Sequence, residues 1–137
     1  MSYQQPAPEQ IAEILKQNKR IAVVGISDKP DRASFQVAQY MQRAGYEIIP
    51  INPRLDEVLG VKAYRSLDEV EGTIDIVNVF RRSEETPPVA KEAAKVGAKI
   101  LWLQLGIHSD EAYEIAKQGG MEVVMDRCIK IDHAGLR

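Results

Sequence analysis

Residues 25–34, Gly-Ile-Ser-Asp-Lys-Pro-Asp-Arg-Ala-Ser, follow a short apolar run and lead into an apolar helical pattern, and they carry the most suggestive chemistry in the chain. Gly25 lets the backbone leave a strand sharply. Ser27 offers a hydroxyl beside the free N–H groups of the turn and of the coming helix, whose dipole favours an anion. Lys29 and Arg32 add positive charge, and Ser34 can cap the helix or bond a phosphate oxygen. Taken singly, Gly25 is a turn residue and the two cations are solvated. Their coincidence at the end of a first strand favours a phosphate-binding turn, because ligands of open α/β sheets sit past the carboxyl ends of the strands.

Two features separate this turn from a dinucleotide fingerprint. Glycines would be needed where Ser27 and Pro30 stand, and the acidic residue that holds a ribose diol is replaced by Asn52-Pro53-Arg54. A nicotinamide cofactor with an unphosphorylated ribose is therefore disfavoured. Arg54, with its planar fork, could face a phosphate on the ribose instead, or be an exposed loop residue.

Two further stretches belong to the same edge. Asn78-Val79-Phe80-Arg81-Arg82-Ser83-Glu84 would bring an aromatic face for an adenine ring, arginines for phosphate, and Ser83 as N-cap of the next helix. Trp102-Leu103-Gln104-Leu105-Gly106 contains a polar Gln104 in an apolar strand, which calls for a partner, and a Gly106 that admits close backbone approach. Trp102 reads as packing.

Catalytic signals are sparse. His108 lies near the expected crevice and His133 in the carboxyl tail, with no nucleophile–base order or paired carboxylates around them. Cys128 follows Asp126-Arg127 without Cys-x-x-Cys or metal-ligand spacing and reads as a small, half-buried residue.

The elements that must position these residues alternate. After a short amphipathic helix through Ile11, Ile14 and Leu15 that closes near Asn18, strands are expected at 21–24, 46–51, 74–80, 100–105 and 121–125. Helices are expected at 34–44, 84–96 and 109–118, with loop and a short helix over 55–70. Strands apolar on both faces need helices on both sides, so the expected fold is α/β: a single doubly wound, Rossmann-like domain with a five-stranded parallel sheet. The expected strand order is 3-2-1-4-5, which places the crevice between the turns after the first and fourth strands, with Ser27, Arg32 and Asn52 facing one cavity.

Composition narrows the rest. At 137 residues, 45% of them hydrophobic, the chain fits one domain over 1–137 with its core at about 19–128. A net charge of -2 without a basic block argues against nucleic-acid partners. A single cysteine suits a reducing, cytoplasmic setting, and neither a signal peptide nor a membrane span is legible.

The runs VVGISDKPDRASFQVAQYMQRAGYEIIPINP, VFRRSEE and ILWLQLGIHSDEAYEIAKQGGMEVVMDRC together resemble the small stand-alone CoA-binding proteins of the YccU-like group, over roughly 19–128. That family is similar in fold to the amino-terminal CoA-binding domain of the succinyl-CoA synthetase α subunit. The resemblance implies coenzyme A as ligand, with Gly25, Ser27, Lys29 and Arg32 around the diphosphate and the 3′-phosphoryl ribose. Asn52, Pro53 and Arg54 would flank the nucleotide, and Phe80, Arg81 and Ser83 the adenine or pantetheine side. It implies binding of CoA or an acyl-CoA, as carrier or sensor, and no known reaction. The synthetase's phosphorylated histidine belongs to a second domain and passes to neither His108 nor His133. Two alternatives remain: a CoA-linked thiol or acyl-transfer enzyme using Cys128 or His108, and an NADP-binding reductase using Arg54.

Overall fold

Apolar residues on both faces of a strand must be covered twice, and the molecule is layered accordingly. The structure, a computed structural model, describes residues 3–136; Met1, Ser2 and Arg137, the ends of the expected domain, lie outside them. Strands β1 (Arg20–Val24), β2 (Glu47–Ile51), β5 (Ile76–Val79), β6 (Ile100–Leu103) and β7 (Glu122–Val124) form one parallel sheet. Two-residue strands β3 (Glu57–Val58) and β4 (Val61–Lys62) make a separate antiparallel hairpin.

Alternate residues along each strand divide the core. Ala22, Val24, Val77, Val79, Leu101 and Leu103 face helices α3 (Thr86–Lys95) and α4 (Asp110–Gln118). Ile21, Val23, Ile76, Ile100 and Trp102 face α1 (Pro8–Gln17), α2 (Ala33–Arg43) and the short α5 (Ile129–Ala134). Trp102 is fully buried and donates its indole N–H to the Arg127 carbonyl at 2.8 Å, the packing role expected of it. Local signals account for the ends: Pro87 and Pro88 stand in the first turn of α3, where their missing N–H groups are not needed, and the Ser109 hydroxyl accepts from the Ala112 N–H to cap α4.

The fold class matches the expectation, and the strand order corrects it. The observed order is β2-β1-β5-β6-β7, so the third long strand pairs with β1, Ile21 opposite Ile76 and Val24 opposite Val79, rather than lying outside β2. The outer edge of β2 is already taken. Residues 50–64 fold back on it, with Tyr64 donating to the Pro50 carbonyl and accepting from the Asn52 N–H, both at 2.9 Å. The chain then crosses to the free side of β1. The order now reverses between β1 and β5, which moves the crevice from the first and fourth turns to the turns after β1 and β5, with the turn after β6 as a further wall.

Candidate functional site

The turn after β1 is rigid because its own polar groups hold it. Ser27 N–H donates to Ser34 Oγ at 2.9 Å, and Lys29 N–H to Ser27 Oγ at 3.0 Å. Asn52 ties the turn to the end of β2, its Nδ2 donating to the Ile26 carbonyl at 2.8 Å while its Oδ1 accepts from the Arg54 N–H at 2.8 Å. Gly25 (φ +88°) sits where a Cβ would lie 2.5 Å from the Phe80 carbonyl oxygen. Only glycine fits there, because the turns after β1 and β5 touch backbone to backbone.

Two adjoining cavities open at this edge. The larger, about 690 Å³, is walled by Gly25 and the start of α2 (Arg32, Ala33, Ser34, Val37), by Phe80 to Glu84, by Gln104 to Ile107, and by Cys128 and Ile131 of α5 and its cap. The smaller, about 370 Å³, is walled by Ile51, Asn52, Pro53 and Arg54, and shares Gly25 and Arg81 with the first. Of the residues the sequence singled out, Gly25, Arg32, Ser34, Phe80, Arg81, Ser83, Gln104 and Gly106 meet in the larger cavity. Asn52, Pro53 and Arg54 meet in the smaller, and Ser27 and Lys29 line neither. The single cavity expected to hold Ser27, Arg32 and Asn52 together is thus two joined spaces, with Ser27 spent on bracing the turn.

Charge at the site is cationic and only partly answered. The Arg32 and Arg54 guanidinium groups have no partner among the described residues, and the leading N–H groups of α2 lack carbonyls before them. Arg81 and Arg82 share Glu85, at 3.3 and 3.1 Å. The hydrogen bond from Arg82 holds the Glu85 carboxyl below its ordinary range, and the same contact raises Arg82. Ser83 does not cap the next helix; it lies in a short 3-10 turn and its hydroxyl accepts from the His108 N–H at 3.0 Å. Ser34 likewise braces rather than caps, since α2 begins at Ala33.

Guanidinium groups unpaired among the described residues and the leading N–H groups of a helix make this cradle suited to an anion. The model for the CoA binding domain matches residues 19–134. The chain belongs to the CoA-binding domain family. It is 56% identical to the Bacillus subtilis protein YneT, the match covering 96% of this chain and 97% of that one. A solved hypothetical protein from Pyrococcus horikoshii OT3 superposes with a TM-score of 0.92 at 36% identity, over 99% of each chain. An ADP-forming acetate–CoA ligase of Methanocaldococcus jannaschii is 27% identical over 82% of this chain, which spans only 17% of the ligase's length.

The remaining side chains of this CoA-binding domain have assigned places. Gln104 lines the larger cavity, its Oε1 accepting from Asn78 Nδ2 at 3.1 Å and from the Ile129 N–H at 3.4 Å, so its oxygen is partnered within the fold. Gly106 donates its N–H to Asp126 Oδ1 at 2.6 Å, and Asp126 holds a positive φ of 58° to do so. His108 pairs with Asp110 at 3.1 Å and lines neither cavity, while His133 lies in α5 with its Nδ1 2.9 Å from the Tyr40 hydroxyl. Cys128, half-buried and free, does line the larger cavity. Leu105, Ile107 and Ile131 are walls that reading the sequence missed; the clue was an apolar spacing, Ile129 and Ile131 after Cys128, in what reads as a tail.

Proposed function

We propose that this chain binds coenzyme A, free or acylated, as a stand-alone module with its core at about 19–128, and serves as a carrier or sensor of the ligand in the cytoplasm. One observation carries the reading: cations Arg32, Arg54 and Arg81, the glycine-tight turn and the start of α2 all border two cavities joined at Gly25 and Arg81. A diphosphate at that junction would send the phosphorylated adenosine toward Asn52, Pro53 and Arg54, and the pantetheine arm along Phe80, Ser83, Gln104 and Gly106. The name of the ADP-forming ligase relative supports the ligand class. No helix among the described residues is long and apolar enough to cross a membrane, which suits a ligand met in solution.

Calorimetric titration with CoA, dephospho-CoA, ADP and NADPH tests it. CoA should bind tightest, and loss of the 3′-phosphate should weaken binding about tenfold or more, the scale of one charge-assisted hydrogen bond. Equal affinity for all four, or none for CoA, removes the reading; NADPH above CoA would favour the reductase alternative.

A second reading has its own observation, the free Cys128 on the wall of the larger cavity. Its thiolate attacking CoA disulfide would form a Cys128–CoA mixed disulfide and release one CoA thiol, with no further oxidant. Incubation with CoA disulfide and intact-mass analysis should show one added CoA, absent in Cys128→Ser; an unmodified wild-type mass counts against it.

A further inference from the structure

Large apolar side chains are exposed at two described positions, Leu105 and Ile131, at 62% and 63%. Scattered exposed hydrophobics need no explanation. These two are not scattered: they come from different elements, the turn after β6 and helix α5, and both rim the larger cavity. Arg32 and Arg81 mark where the phosphates would sit, so Gln104, Cys128 and these two residues border the stretch left for the far end of the ligand.

Gln104 adds a polar requirement at the same place. It is 6% exposed, and its oxygen is fixed by the Ile129 N–H, which can only donate. That leaves the amide Nε2 as the donor, without a partner among the described residues, on a cavity wall. Nε2 is not among the fully buried unpartnered atoms of the described residues, so it reaches the cavity and is available to a ligand acceptor. Gln104, Leu105 and Ile131 line the same cavity, so a chain attached to a carbonyl at Gln104 shares that space with both apolar side chains.

A pantetheine arm that ends in a free thiol supplies neither a carbonyl at its tip nor hydrocarbon to cover that rim. We infer that the preferred ligand is an acyl-CoA with an aliphatic chain of medium length, its thioester carbonyl accepting from Gln104 Nε2 and its chain lying over Leu105 and Ile131. This rests on the CoA reading above.

The test is a titration series of CoA, acetyl-CoA, butyryl-CoA, octanoyl-CoA and the thioether S-octyl-CoA. A methylene fully removed from water multiplies affinity about fourfold. The rim is open and retains part of that, so octanoyl-CoA should bind about tenfold or more tighter than acetyl-CoA. S-octyl-CoA, with no carbonyl, should bind about threefold or more weaker than octanoyl-CoA. In Leu105→Ser and Ile131→Ser the ratio of octanoyl-CoA to CoA affinity, read within each protein, should fall toward one. A wild-type ratio at or below one overturns the acyl inference and leaves CoA binding standing. S-octyl-CoA equal to octanoyl-CoA overturns the Gln104 contact, and a protein that ignores the whole series overturns both this inference and the reading beneath it.

Discussion

The two ends of the parallel sheet use the same kinds of residue to opposite effect. At the amino end Asp75 Oδ2 accepts from the N–H groups of Lys19 and Arg20 at 3.2 and 3.1 Å, and its other oxygen lies 3.4 Å from Lys99 Nζ. Arg20 pairs with Glu47 at 3.2 Å and donates to the carbonyls of Thr73 and Glu71. At the carboxyl end Arg32 and Arg54 lack partners among the described residues, and Arg81 and Arg82 divide one carboxylate. The chain as a whole is acidic at -2, so this surplus of cations is local placement rather than bulk charge. One end closes on itself; at the other, the Arg32 and Arg54 guanidinium groups remain unpaired among the described residues.

Substitutions at matched positions should break that contrast. The largest effect is expected from Gly25→Ala, whose Cβ would meet the Phe80 carbonyl, backbone that cannot swing aside. It should lose about 3 kcal/mol or more in urea unfolding and abolish CoA binding. Gly72 at the amino end also has positive φ (+85°), but its added Cβ meets only the tip of the Arg20 side chain, which can move. Gly72→Ala should therefore cost about 1–2 kcal/mol and leave CoA affinity unchanged.

Next comes Asp75→Ala, which strands two backbone donors beside a side chain only 16% exposed. A stability loss of about 2–3 kcal/mol is expected, again with CoA affinity intact. Arg32→Ala should show the reverse, a binding loss of about 1.5–3 kcal/mol by calorimetry and a change in unfolding free energy within about 0.5 kcal/mol.

The smallest effect is expected at Glu85. Glu85→Gln frees Arg81 and Arg82 and should tighten CoA binding by about threefold, the scale of a surface ion pair. Its ion pairs lower the carboxyl pKa in the folded state, so their contribution to stability is present above the ordinary value near 4.5 and fades as pH falls through the folded value. The melting-temperature difference between wild type and Glu85→Gln should accordingly be constant above that ordinary value and vanish once pH has fallen below the folded value.

The elements and the candidate residues of the carboxyl end were legible beforehand, the amino end was not, and the misses have physical causes. Apolar runs closed by Gly25 and Gly106 identify strands and their carboxyl ends, and Ser109 announces the start of α4 through a cap that works within one turn. Strand order is different in kind. Periodicity reports which faces are buried, not which neighbour a strand takes, and β5 was directed to β1 by Tyr64 capturing the edge of β2. The two-residue strands β3 and β4 are too short to leave a period. Residue type singled out Arg32, Arg81 and the Asn52–Arg54 segment, which line the two cavities. It could not separate hydroxyls that face a cavity from those spent on bracing, such as Ser27, nor foresee that α5 would fold Cys128 and Ile131 over the pocket.

CoA binding at the carboxyl edge is tested most directly by a backbone amide NMR titration that reports both ends of the sheet at once. CoA held at the carboxyl edge should shift Gly25, Arg32, Ser34, Arg81 and Gly106 and leave Lys19, Arg20 and Asp75 unmoved. Saturable shifts confined to the amino end, or none anywhere in the chain at millimolar CoA, would contradict it.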